Sequence, residues 1–143
     1  MKRRMAREKA LQVLFSIDQS DFDAEESMKY IIEDESDDFL IRIVHGVVNH
    51  QQEIDKKISQ HLEKWSLQRL AAVERTLLRI ATYELFYDKD APENVVINEA
   101  IEIAHVFGDD HSGKFINGVL SKMLRGELKC QQKLSMAVNW LNR

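Results

Sequence analysis

The chain contains little of what a small protein needs when its own core cannot hold it together. Cys130 is the single cysteine among 143 residues, so no intramolecular disulfide can form and a zinc site built on paired cysteines is excluded. A reducing, cytoplasmic setting fits. No stretch approaches the ~20 apolar residues of a membrane-spanning helix, and Glu8, Lys9, Gln12 and Asp18 interrupt every run that could serve as the apolar part of a secretion signal. A soluble protein is expected. One proline and five glycines supply few helix breakers, and β-branched residues fall at helical rather than alternating spacing, so almost no strand is expected. Repeats, low-complexity tracts and linkers are absent as well. What is present is an ordinary globular mixture, 44% hydrophobic and 31% charged, in a chain long enough to bury roughly two thirds of its unfolded surface.

Read along its length, the chain predicts about seven helices in one compact all-α domain. Ala6, Ala10, Val13, Leu14 and Ile17 form the apolar stripe of a first helix from Arg4 to about Gln19. Asp21 or Asp23 can cap a second, through Met28, Ile31 and Ile32. A third, long helix is expected from Phe39 across Gly46 to Leu62. Val73 to Tyr87 is apolar on most of its circumference, as a central helix with neighbours on several sides would be. After Pro92, Ile97, Ala100, Ile101, Ala104 and Phe107 mark the inner face of another helix, with Gly108 as its stop. Ser112 stands as the N-cap of the next, through Phe115, Ile116, Val119, Leu120 and Met123, with Gly126 as its end. Residues 127–143 read as a weakly amphipathic helical extension to a domain covering 1–126.

Several motifs suggest chemistry and fail on context. Gly108 to Lys114 has the spacing of a phosphate-cradling loop up to its lysine, but a helix rather than a strand precedes it and Phe115 replaces the magnesium-binding hydroxyl. Asp109 and Asp110 would repel phosphate. Glu102 and His105 have the Glu-x-x-His spacing of helical di-iron proteins, yet no second such pair exists and both lie opposite the apolar stripe. His45, His50, His61 and His111 show no metal-ligand spacing, and Cys130 has no evident activating neighbour. Neither metal, cofactor nor catalysis is expected. Glu84, in the middle of the central helix, reads as a buried acid paired with a neighbouring helix.

Charge distribution is more informative. The net charge is −4, but Lys2, Arg3, Arg4, Arg7 and Lys9 crowd the N-terminus against Glu8 alone, whereas residues 21–38 carry nine acids against Lys29. Cations are not what a helix N-terminus prefers. Arg4, Leu11 and Phe15 share a face beside the core stripe, and basic groups next to an apolar and aromatic strip suit either RNA phosphates and bases or an adjoining protein.

Three segments carry a resemblance: Arg3 to Gln12 (RRMAREKALQ), Glu74 to Leu85 (ERTLLRIATYEL), and Asn98 to Ala100 with Lys114 to Leu120 (KFINGVL). In order and spacing, over about residues 2 to 125, the chain resembles the NusB family of bacterial transcription antitermination factors. The resemblance implies an all-α fold of two packed three-helix sub-bundles and no enzymatic activity. It implies binding of boxA RNA in nascent ribosomal RNA transcripts together with NusE, a small-subunit ribosomal protein, so that RNA polymerase, joined by other Nus factors, passes terminators. Carried over by position, it implies RNA contacts at Lys2, Arg3, Arg4, Arg7, Lys114 and Phe115, and NusE contacts at Phe15 and Glu74. Many relatives have tyrosine where Phe15 stands, so a hydroxyl contact is missing here. The alternative is a protein–protein adaptor, or a homodimer that covers its own arginines. A NusB-like domain fused to a ribosomal RNA cytosine methyltransferase is a poor reading, because the sequence shows no glycine-rich methyl-donor segment.

Overall fold

The computed structural model describes residues 2–19, 25, 26, 29 and 37–142. Among them lie six α-helices and no strand: α1 (Arg3–Gln19), α2 (Asp38–Asn49), α3 (Gln51–Ser59), α4 (Ala72–Phe86), α5 (Glu93–Phe107) and α6 (Ser112–Leu141), with a 3-10 turn at Leu67–Arg69. The helix expected through Met28, Ile31 and Ile32 lies outside the described residues. Helices α1, α2 and α3 form one group and α4, α5 and α6 the other, and α4 packs against all five remaining helices.

The central position of α4 follows from its composition. Every residue from Thr76 to Thr82 is buried, and so are Glu84 and Leu85. Such a helix is stable only when surrounded. Around it, Leu40, Ile43, Val44, Ile54, Ile58, Ile103, Ile116 and Leu120 are fully enclosed. Three arginine–carboxylate pairs, the first of them buried, tie these helices to one another. Arg7 of α1 reaches Glu84, Arg79 reaches Asp55 of α3 at 2.8 Å, and Arg75 holds Asp18 at the end of α1.

The sequence-based reading needs five local corrections. The long third helix is two helices, because the backbone leaves helical geometry at His50 (φ −114°, ψ 16°). There the imidazole Nδ1 donates to the Gly46 carbonyl at 2.9 Å, the same oxygen that accepts the His50 backbone N–H, and the ring packs 4.6 Å from that of Tyr87. A side chain that competes for a helical carbonyl favours such a break. Gly126 does not end α6, which continues unbroken to Leu141; a glycine weakens a helix interior by about 1 kcal/mol without stopping it. Asp109, not Ser112, caps α6, its carboxylate accepting from the N–H groups of His111 at 2.9 Å and Ser112 at 3.0 Å. Leu11 is buried in the core rather than beside it, while Phe107, expected inside, is exposed. By contrast Asp37 caps α2 by accepting from the Leu40 N–H at 3.0 Å, Pro92 opens α5, and Gly108 closes it.

Candidate nucleic-acid and partner interface

The N-terminal cations lie where α1 meets the far end of α4, and acids hold most of them. Arg4, half-exposed, makes two hydrogen bonds to Glu99 of α5, Nε to Oε2 at 2.8 Å and Nη2 to Oε1 at 2.9 Å. That contact, against the opposing effect of burial, holds the Glu99 carboxyl below the usual carboxylate range. Arg3 pairs with Asp90 at 2.7 Å and lies over the Phe39 ring, 4.1 Å from its centroid. Arg42 of α2 approaches the same ring and pairs with Asp88 and Asp90. Lys2 is exposed.

Arg7 is placed differently from its neighbours. Only 3% exposed, it faces Glu84, itself 3% exposed, through paired bonds of 2.9 and 2.7 Å. Its position in the core stripe, one residue after Ala6 and three before Ala10, puts it inside α1's packing surface. The expected direct contact of Arg7 with RNA does not agree with this burial. The pair instead fixes the start of α1, and with it Arg3 above Phe39 and Arg4 on Glu99.

Lys114 and Phe115 belong to a second patch. At the start of α6 they line a cleft of about 280 Å³ with Lys64, Trp65, Gly118 and Lys122. Phe115 is half-buried against the core, whereas Trp65 is 56% exposed. A Cβ on Gly118 would meet nothing within 4 Å, so the cleft floor between Phe115 and Lys122 is open. Glu63 also lines the cleft and pairs with Lys122, but three ammonium groups around two aromatic rings have the chemistry of a nucleic-acid groove, in which rings stack on bases and cations meet phosphates. Lys64 and Trp65 escaped the sequence reading as part of a polar turn. A tryptophan beside a lysine in such a turn, with no apolar periodicity to bury it, was the available signal.

The start of α6 lies away from the Arg7–Glu84 pair, and the cleft runs from there along α6 to Lys122, next to Met123, which Thr82 of α4 touches. Arg7 marks the α4 end at Glu84, while the start of α6 lies at the other end, where Glu74 meets Asp109 and Ser112. Ten residues of helix separate Glu84 from Glu74, about 15 Å at 1.5 Å per residue.

Phe15 and Glu74 share the end of the molecule at which Asp18 and Arg75 clasp α1 to α4. Phe15 is 38% exposed. Burial raises the Glu74 carboxyl above its ordinary range, the nearby Asp109 charge adds to this, and the Ser112 hydroxyl pulls the other way. Among the described residues no cation makes an ion pair with it, and a carboxylate held against its own solvation is a candidate for use in recognition. Among the described residues, no cluster of three or more metal-ligating side chains occurs, and no helix is long and apolar enough to cross a membrane.

These features define an all-helical protein whose accessible chemistry is cationic and aromatic surface. The NusB family model matches residues 4–125. The chain belongs to the NusB family. It is 55% identical over 125 residues to the transcription antitermination protein NusB of Oceanobacillus iheyensis, which covers 87% of this chain and 99% of the relative. Among solved structures it is similar to NusB of T. maritima (40% identity, TM-score 0.81, covering 87% of this chain and 92% of the other). It is also similar to a chain in the crystal structure of the antitermination factors NusB and NusE in complex with dsRNA (32% identity, TM-score 0.79, covering 87% and 96%).

Proposed function

We propose that this protein is a non-catalytic transcription antitermination factor of the cytoplasm that binds boxA RNA of ribosomal RNA transcripts together with NusE. In that role it joins other Nus factors on RNA polymerase and lets the enzyme pass terminators. The observation that carries the reading is membership of the NusB family over residues 4–125, with a solved relative whose complex contains NusE and RNA. Residues 1–126 carry this function, and beyond them α6 runs on to Leu141 as an extension.

In this reading RNA meets Lys2, Arg3 and Arg4 at one patch and the Lys114–Phe115 cleft, with Lys64 and Trp65, at the other. NusE meets Phe15 and Glu74. Arg7 acts through position, holding the start of α1, and does not itself touch phosphate. Contacts to phosphate set register and affinity, and the stacked rings add to them.

Fluorescence anisotropy of a labelled boxA RNA, in single- and double-stranded form and against a scrambled sequence, tests this with and without NusE at two salt concentrations. The expected result is sequence-selective binding that NusE strengthens and salt weakens. Absence of selectivity in every condition would overturn it in favour of a protein–protein adaptor, a role that the acid-paired Arg3 and Arg4 would also suit.

A further inference from the structure

Helix α6 runs to Leu141, although the family match stops at 125. Its last four turns pack on nothing among the described residues: Leu128, Leu134, Met136, Val138, Trp140 and Leu141 are each more than half exposed. The distribution of charge on this rod is not random. Phe115, Lys122, Lys129 and Met136 succeed one another at intervals of seven residues, which returns a helix to nearly the same face. Arg125, Lys133 and Trp140 interleave with them at spacings of three, four and seven, so all fall on one side. No acid lies on that side between Lys122 and Trp140, since Glu127, the single acid of the segment, sits on the opposite flank.

The contrast with the N-terminal cations is chemical. Arg3, Arg4 and Arg7 each face a carboxylate, whereas Arg125, Lys129 and Lys133 are exposed and none makes an ion pair with a described residue. Lys122 touches Glu63 at 2.6 Å, but Glu63 is itself a largely exposed side chain that can swing away. Four cations along about 16 Å of helix, with Glu63 on the first as their one paired acid among the described residues, repel one another unless a polyanion lies along them. A single strand carries one phosphate per ~3.4 Å, so the density is that of a phosphate chain. Trp140 and Met136 at the far end offer apolar surface to an unstacked base, as Phe115 does at the near end.

We propose that the basic side of α6 from Lys122 to Trp140 is an RNA track that continues the Phe115 cleft and holds single-stranded RNA flanking the element bound by the family-matched domain. This rests on the RNA-binding reading above and assigns to the extension the work of lengthening that site. The occupant is RNA rather than a protein because the track is cationic and linear, with aromatic surface only at its two ends.

The test compares a short boxA RNA with the same RNA carrying an unpaired pyrimidine tail of about ten nucleotides, placed on either end in turn, by anisotropy with NusE present. Wild-type protein should bind one tailed RNA more tightly than the short one. K129A/K133A should abolish that gain and lower the slope of log affinity against log salt by about 1.4, two phosphates at ~0.7 each. Trp140→Ala should weaken the tailed RNA at least about fivefold. Neither variant should alter affinity for the short RNA, and because all three side chains are exposed, thermal unfolding should be unchanged. L134S/L141S, on the other side of the rod, should leave the gain intact. If the tail brings no gain, or the gain survives K129A/K133A, the track is refuted while selective binding of the short RNA leaves the family reading standing. A gain lost in L134S/L141S would also refute it, by pointing to self-association. Failure of the short RNA to bind selectively would sink the family reading, and a lysine-dependent gain from the tail would then still support the track.

Discussion

Arg7 and Glu84 face each other across the α1–α4 contact as a two-bond ion pair, 77 residues apart in sequence and almost wholly removed from water. Each charge is the other's ion-pair partner, and the Arg7 guanidinium also lies 5.1 Å from the centroid of the Phe39 ring. Removing one leaves the other buried without a partner, which typically costs 3–5 kcal/mol, whereas replacing both by apolar groups of similar size is often close to neutral. Arg7→Ala and Glu84→Ala should therefore each lower unfolding free energy by about 3–5 kcal/mol, and Arg7→Met combined with Glu84→Leu should recover most of that loss. Urea denaturation of the four proteins checks it. If Arg7→Ala instead leaves stability intact and weakens RNA binding, Arg7 is a direct RNA ligand and its burial has been misjudged.

The Tyr83 ring lies flat against Gly46, so closely that a methyl group there would overlap ring atoms. This contact sets the spacing of α2 and α4 beside the His50 break, where Tyr83 and Tyr87 stack with centroids 6.1 Å apart. Overpacking of this kind typically costs 1–3 kcal/mol because side chain or backbone must shift. Gly46→Ala should lower stability by about that amount, even though alanine is the better helix former. In a Tyr83→Ala background the same change should be neutral or stabilising, since the obstruction is gone. A double-mutant cycle by thermal unfolding reads the coupling directly, and additive effects would show that the ring does not press on Gly46.

How much of this was legible in sequence depends on the range of the signal. The apolar circumference of Val73 to Tyr87 announced a central helix, and the stripe of Ala6, Ala10, Val13 and Leu14 announced α1, because periodicity is local. The Glu84 pairing was foreseen as a type, a buried acid meeting another helix. Its partner was not, because Arg7 reads as one member of a basic run until the fold turns it inward. The break at His50 was hidden because the apolar period carries across it, and what ends α2 is a ring reaching back to one carbonyl. Gly126 misled in the opposite sense, since propensity weights a helix without deciding where it ends. The candidate site divides likewise: Lys114 and Phe115 were legible by family resemblance, while Lys64, Trp65 and Lys122 join them only through the packing of α6 beside the end of α3.

The half-exposed Arg4–Glu99 pair offers a test of whether the N-terminal patch meets RNA. Phosphate must compete with the Glu99 carboxylate for the guanidinium. Glu99→Gln removes that competitor and one repelling charge while keeping the side chain's shape, so RNA affinity should rise. Exposed ion pairs are weak, so the gain should be modest. The salt dependence should steepen as Arg4 becomes free to displace counterions. Unchanged affinity and slope would place RNA elsewhere, on the α6 side. Arg4→Ala is the complementary variant: it should weaken binding and leave the Glu99 charge uncovered.

Glu74 carries the pH prediction. Burial, reinforced by Asp109, raises its folded-state pKa above that of the unfolded chain, so the folded protein binds the Glu74 proton more tightly. Its ionisation thus opposes folding at neutral pH, and this penalty is relieved as pH falls through the folded pKa, disappearing below the unfolded value near ~4.3. Asp18 behaves oppositely. Burial would raise its carboxyl, but the hydrogen bond and charge of Arg75, with Arg79 behind it, outweigh burial and hold it low, so its contribution persists at neutral pH and is lost as pH falls below the ordinary carboxylate range. Glu74→Gln should then stabilise the protein at pH 7, with the advantage shrinking steadily towards pH 4, while Asp18→Asn should destabilise it at pH 7 with a deficit that narrows only in stronger acid. Chemical denaturation of both variants across that range measures the two trends. Should Glu74→Gln also weaken NusE binding while strengthening the fold, the acid is kept ionised for its partner, and an equal affinity for NusE would remove Glu74 from the interface.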